Sequence, residues 1–218
     1  MKISRGDFLD LCRNLGLESD IIEGLENNLT NGRSLPIVWL SSGCTGCTEE
    51  LADLAIGVTD STGRADLLVD RIDFKFHGKH CEIVDESAIN TLLNAFAGKF
   101  FLVVEGGFAK SFGKPIRMPW AGGQTITAFQ AVRTFAPKAE AVLCIGTCAC
   151  FGVPGGRGFR SVESLARVET IKISGCPTHP SRIVWTLAQL LAGRVPVKDI
   201  PSALFPGTGK TVDVRNCA

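Results

Sequence analysis

Three short apolar runs, Leu35–Leu40, Phe100–Val104 and Ala141–Ile145, and a short strand-like stretch, Thr170–Ile173, each stop at a turn that carries glycine. A run of four to six apolar residues bounded by turn signals reads as a fully buried strand. Asp66–Phe76 alternates more loosely and reads as a further strand. Between these runs the apolar spacing switches to the helical period. Glu49–Ile56 is a short helical stretch, and Asp85 reads as the N-cap of a helix carrying Ile89, Leu92, Leu93 and Phe96, stopped by Gly98. Ile126, Phe129, Val132 and Phe135 mark another helix, closed by Pro137. Ser161–Val168 is a short helix, and Pro180–Ala192 carries Ile183, Leu187, Leu190 and Leu191 on one stripe, with Gly193 just past its end.

Strand–helix alternation of this kind implies a parallel sheet with helices on both faces, joined by right-handed crossovers. The expected fold is α/β, a flavodoxin-like doubly wound sheet of order 2-1-3-4-5. Residues 1–33 read as a helical N-terminal extension: Ser4 caps Phe8, Leu11, Cys12 and Leu15, stopped by Gly16, and Ser19 caps Ile21, Ile22, Leu25 and Leu29. Residues 34–195 form the domain proper, and 196–218 a proline-punctuated tail. Ser111–Gln124 reads as a Gly/Pro-rich loop whose Trp120 is a candidate interface element.

The 23 basic and 22 acidic side chains leave a net charge of +1, which excludes the basic footprint of a general nucleic-acid binder. No stretch reaches about 18 uninterrupted apolar residues, so no transmembrane segment is expected. Met1–Cys12 approaches a twin-arginine export signal, with Gly6 in place of the second arginine. The polar run Arg13–Asp20 follows where an apolar stretch is needed. A cytoplasmic location is the expectation.

Nine cysteines are an odd number in a chain large enough to need no disulfide framework, so a reduced compartment with some thiols given to metal is expected. Cys44 and Cys47 form a C-T-G-C turn after the first strand, Cys148 lies in Gly146-Thr147-Cys148, and Cys176 in Gly175-Cys176-Pro177. All four follow strands, hence sit at the carboxyl edge where such sheets bind ligands. Four thiolates suit zinc or a [4Fe–4S] cluster. Only one pair is close in sequence, and glycines beside the ligand stretches would let backbone N–H groups approach an anionic cluster, which favours iron–sulfur. Helices starting just after Cys47 and after Pro177 would aim their positive ends at it. Cys150 competes with Cys148 as a ligand. Cys12 and Cys144 read as buried small hydrophobes, while Cys81 and Cys217 carry no assigned role. His77, His80 and His179 read as surface or capping residues.

The series C-T-G-C-T-E at Cys44–Glu49, V-E-G at Val104–Gly106, G-T-C-A at Gly146–Ala149 and G-C-P at Gly175–Pro177 resembles the small subunit of nickel–iron hydrogenases. The resemblance implies that Cys44, Cys47, Cys148 and Cys176 bind one proximal [4Fe–4S] cluster, with Gly146 and Gly175 beside it. Glu49 and Glu105 match acidic positions near the cluster and the subunit interface; read plainly, they are a helix first-turn acid and a loop acid. It further implies a large-subunit partner holding the nickel–iron site, so that no catalytic residue of the bimetallic chemistry lies here and the chain acts as an oxidoreductase subunit. Many members continue into a region with medial and distal clusters, opened by a histidine three residues before a cysteine. Val214 stands at that place before Cys217, so one cluster is expected, with a further iron–sulfur or flavin subunit as electron acceptor. Gly46 occupies the place of an extra cysteine found in some oxygen-tolerant members. The alternatives are the cluster-bearing subunit of quinone reductases, whose first motif usually has adjacent cysteines, and a hydrogen-sensing or zinc-binding module.

Overall fold

A computed structural model describes residues 4–41, 44, 46–51, 72–77, 100–108, 115–117, 125–153 and 158–194. The chain opens with helices α1 (Arg5–Asn14) and α2 (Ser19–Thr30), followed by strand β1 (Leu35–Ser41) and a helical segment α3 over 46–51. Strands β2 (Ile72–His77) and β3 (Phe101–Glu105) come next. The small strands β4 (Pro115–Arg117) and β5 (Thr125–Thr127) pair antiparallel and lead into α4 (Ala128–Phe135). Then follow β6 (Ala141–Ile145), α5 (Thr147–Phe151), α6 (Val162–Ala166), β7 (Ile171–Ile173) and α7 (Pro180–Leu191).

Five strands make one parallel sheet in the order β2-β1-β3-β6-β7. With the β4–β5 pair set aside, this is the flavodoxin-like order 2-1-3-4-5. The period-2 alternation of side chains sorts the core into two layers. Ile37, Trp39, Phe101, Val103, Leu143, Ile145, Ile171 and Ile173 face α1, α2 and α7 in one apolar cluster. Val38, Leu40, Leu102, Val104, Val142 and Cys144 face α4, α5 and α6 in the other. Nearly continuous apolar strands are what a sheet covered on both faces requires.

Local chemistry sets most element ends. Ser4 caps α1 by accepting the Asp7 N–H at 3.1 Å, and Ser161 caps α6 by accepting the Ser164 N–H at 3.2 Å. His179 caps α7 through Nδ1, which accepts the Ser181 N–H at 3.3 Å, with Pro180 in the first helical position. Gly193 ends α7 with φ +84°, its N–H bonded to the Leu190 carbonyl at 3.0 Å.

Four boundaries differ from the sequence expectation. The N-cap of α2 is Glu18, without a side-chain bond, and Ser19 is already helical. Ile126 pairs with Ile116 in the β4–β5 ladder, so α4 begins two residues later. The helix expected over Ser161–Val168 stops at Ala166 because Arg167 turns to φ +57°. The fourth difference, the early start of α3, bears on the site. Residues 66–71 of the expected strand, the helix after Asp85, Trp120 with most of its loop, Cys81, His80, Cys217 and the tail lie outside the described residues.

Candidate functional site

The turns after β1, β3, β6 and β7 meet at the carboxyl edge of the sheet. Among the described residues they are joined by hydrogen bonds more than by apolar packing. Glu105, the last residue of β3, is 1% exposed. It is therefore a buried strand residue and not the loop acid its neighbours Gly106 and Gly107 suggest. Its Oε1 accepts the N–H groups of Cys47 at 2.9 Å and Thr48 at 3.2 Å. Its Oε2 accepts the Trp39 indole N–H at 3.2 Å, the Thr48 hydroxyl, and a long 3.5 Å bond from the Ser41 hydroxyl.

This carboxylate explains why α3 begins at residue 46 and not at Glu49. The first N–H groups of a helix have no partner within it and need an acceptor. Glu105 supplies one from across the sheet. Cys47 is thereby drawn into the first turn of α3, buried to 3% exposure, while Cys44 stays exposed. Glu49, two residues further along α3, is exposed.

The Cys47 sulfur lies against both of the remaining cysteine-bearing turns. The Thr178 N–H donates to Sγ at 3.3 Å, and the Thr178 hydroxyl donates to the Ile173 carbonyl at 2.9 Å. A Cβ placed on Gly146 would stand 3.0 Å from the same sulfur, and this glycine also adopts φ +87°, so both space and conformation require it. Gly175, at φ +151°, has the same character: a Cβ there would fall 2.7 Å from Thr178 Cα. The two turns are also tied to each other, the Thr147 N–H donating to the Gly175 carbonyl at 2.8 Å and the Gly146 N–H to the Ile173 carbonyl at 3.0 Å. Arg182, on the first turn of α7, donates to the Ser174 carbonyl beneath the Cys176 turn, whose Cys176–Pro177 peptide is cis.

Burial pushes the Cys47 thiol up to about 12, an effect opposed by the Thr178 N–H. Such a thiol is neutral at pH 7 unless something cationic sits beside it, as a metal does when it displaces the proton. Cys148 lies in the first turn of α5 and Cys176 in the β7–α7 turn, both half-buried. Cys150, two residues past Cys148, is turned the other way: its thiol donates to the Cys144 carbonyl at 3.3 Å inside the core layer of α4 to α6. Cys12 and Cys144 are buried apolar contacts, as expected. Among the described residues, no three His, Cys, Asp or Glu side chains are grouped closely enough to hold a single metal ion. The donor set still suits a cluster: soft sulfur atoms on joined turns, the Thr178 N–H directed at sulfur, and glycines where a Cβ would obstruct.

Trp39, Thr48 and Thr178 belong to this arrangement and were not anticipated. Trp39 is read as one more apolar residue of β1, Thr48 appears only as a member of the C-T-G-C-T-E series, and Thr178 lies just past the G-C-P series. The one available signal is their place immediately beside Cys47 and the Cys176–Pro177 pair.

Residues 44–190 match the family model described as NADH ubiquinone oxidoreductase, 20 Kd subunit, and the chain belongs to that family. Within that frame it is similar to the periplasmic [NiFeSe] hydrogenase small subunit of Desulfomicrobium baculatum, 28% identical over 214 residues, covering 86% of this chain and 66% of that protein. The periplasmic [NiFe] hydrogenase small subunit of Solidesulfovibrio fructosivorans is 29% identical over 209 residues, with 90% and 64% covered. The solved [NiFeSe] hydrogenase from Desulfovibrio vulgaris Hildenborough superposes with a TM-score of 0.53 at 27% identity, over 71% of this chain and 58% of that one. The resemblance to hydrogenase small subunits drawn from the cysteine motifs holds. The chain spans a little under two thirds of the length of these two curated relatives.

The cytoplasmic location expected above is overturned by these relatives, which are periplasmic proteins. That expectation rested on the polar run Arg13–Asp20. Those residues join α1 to α2, whose apolar faces are part of the core, so they report on the fold and not on an address. Among the described residues, no helix is long and apolar enough to cross a membrane.

Proposed function

We propose that this chain is the electron-transfer subunit of a nickel–iron hydrogenase and holds one proximal [4Fe–4S] cluster through Cys44, Cys47, Cys148 and Cys176. The observation that carries this reading is the Cys47 sulfur, held between Gly146 and Thr178, so that turns from three separate strands share one sulfur environment. The inward turn of Cys150 supports Cys148 as the ligand from α5. When bound, such a cluster accepts and releases single electrons. Glu105 fixes the first turn of α3, so that Cys47 is presented without a search over conformations. Thr178 directs an N–H at the sulfur, and Gly146 and Gly175 leave room for the approach. Glu49 is placed on the exposed face of α3, where a partner can reach it.

The nickel–iron site belongs, on this reading, to a large-subunit partner, where hydrogen is split or formed. A further iron–sulfur or flavin subunit takes up the electrons on this reading. The second reading, a cluster subunit of a quinone-reductase-type complex, is favoured by the family description over residues 44–190. It is opposed by the two residues between Cys44 and Cys47.

Metal and acid-labile sulfide analysis of the complex purified through this chain tests both. About four irons and four sulfides per copy are expected, with nickel in a partner. Iron without nickel in any partner turns the assignment to the quinone-reductase type, and absence of iron and sulfide ends both.

A further inference from the structure

Building on that reading, we propose that Thr178 is a positioning residue that sets the reduction potential of the cluster by donating its backbone N–H to the Cys47 sulfur. Thr178 is fully buried, and its N–H lies 3.3 Å from Cys47 Sγ, across 131 residues of sequence. Two features hold the donor there, and a third holds the acceptor. The Thr178 hydroxyl donates to the Ile173 carbonyl at 2.9 Å, anchoring the residue to the end of β7. Gly175 lets the chain fold back so tightly that a Cβ on it would meet Thr178 Cα at 2.7 Å and the Pro177 carbonyl at 2.9 Å. From the other side, Glu105 fixes Cys47 through its N–H at 2.9 Å. Donor and acceptor are thus each restrained by a separate network, as a bond serving electrostatic tuning requires.

A ligand sulfur carries more negative charge when the cluster holds the extra electron. An N–H aimed at it stabilises the reduced state more than the oxidised one and raises the potential. The backbone N–H is the larger of the two Thr178 influences on the Cys47 sulfur; the hydroxyl, which anchors the residue to the Ile173 carbonyl, adds a smaller one of its own. Thr178→Pro removes the N–H together with the hydroxyl, Thr178→Val removes the hydroxyl alone, and Thr178→Ser retains both groups.

The test is an EPR-monitored redox titration of the complex carrying each variant, beside iron and sulfide analysis of the same samples. The expected result is full iron content throughout, a clearly more negative midpoint potential for Thr178→Pro, a smaller negative shift for Thr178→Val and no shift for Thr178→Ser. Thr178→Pro with full iron at the wild-type potential overturns the proposal, as does Thr178→Val shifting as far as Thr178→Pro. Should Thr178→Pro hold no iron, pulsed EPR of the reduced wild-type complex grown with 15N-threonine decides. A 15N coupling to the cluster that disappears in Thr178→Ser supports the bond, and no such coupling overturns it. A wild-type complex without iron and sulfide is the separate failure of the functional reading itself.

Discussion

The carboxyl edge of the sheet and the helical layer of α1, α2 and α7 are held by different forces. In the helical layer Phe8, Cys12, Leu25, Leu29, Ile183, Val184 and Leu187 interlock as apolar side chains. Polar contacts that reach across this layer include the Asn28 amide donating to the Leu191 carbonyl at 2.9 Å and Arg194 meeting Asp20 at 2.6 Å in solvent. At the edge, a buried carboxylate, a sulfur and several carbonyls are satisfied by N–H and O–H groups from distant turns. Apolar burial is non-directional and tolerates small shifts. Buried hydrogen bonds are directional and costly to leave unmade. The helical layer therefore supplies stability, and the edge supplies geometry.

The largest effect that would sharpen this contrast is at Glu105. Glu105→Ala leaves buried N–H groups of Cys47, Thr48 and Trp39 without their acceptor, at roughly 1–3 kcal/mol per group. A total loss of about 4 kcal/mol is expected in chemical denaturation of the complex, together with loss of iron. Glu105→Gln is not a mild change either. Both carboxylate oxygens accept from N–H donors, so an amide satisfies one side and turns its own NH2 against the other, whichever way it is flipped. Iron retention equal to wild type in Glu105→Gln would break the assignment of geometry to this edge.

The counterpart in the helical layer is Leu25→Ala. Leu25 is fully buried, and deleting its side chain should cost about 3 kcal/mol through lost burial and a residual cavity. The expected signature is a lower denaturation midpoint with iron per folded chain unchanged. A matching loss of iron from the folded fraction would show that the two regions are not separable.

That separation also explains what could be read in advance. Strands and their order are written locally: each apolar run is short, ends at glycine, and alternates side chains between two helical layers. The cysteine positions follow from the same rule, because a residue just after a parallel strand must lie at the carboxyl edge. The start of α3 was not legible, because its first-turn acceptor is Glu105, which bonds Cys47 from 58 residues away. Nor was α5, whose five residues are too few to show a helical period. Thr178 acts through a backbone N–H that any residue but proline could offer, so its identity carries no signal. The β4–β5 pair lies in a stretch rich in glycine and proline, where composition points to a loop and only pairing makes strands.

The smallest expected effect tests whether burial in the helical layer has a price in proton affinity. Burial pushes the Cys12 thiol up to about 12, with the Arg13 charge acting weakly the other way. The unfolded chain loses this proton near pH 9, the ordinary value, while the folded chain keeps it. Between those limits the folded state binds more protons than the unfolded one, so stability falls as pH rises, and it is undiminished below pH 9. The slope is at most about 1.4 kcal/mol per pH unit for one thiol. Replacing Cys12 by Ala removes that contribution. Denaturation of Cys12→Ala from pH 8 to 10.5 should therefore give a shallower alkaline decline than wild type, by about 2 kcal/mol at the upper end. Its stability at pH 8 is lower because of the lost sulfur packing, so the two curves converge with rising pH. Parallel curves would mean that the Cys12 thiol ionises in the folded protein as readily as in the unfolded chain, and that α1 is not closed over it.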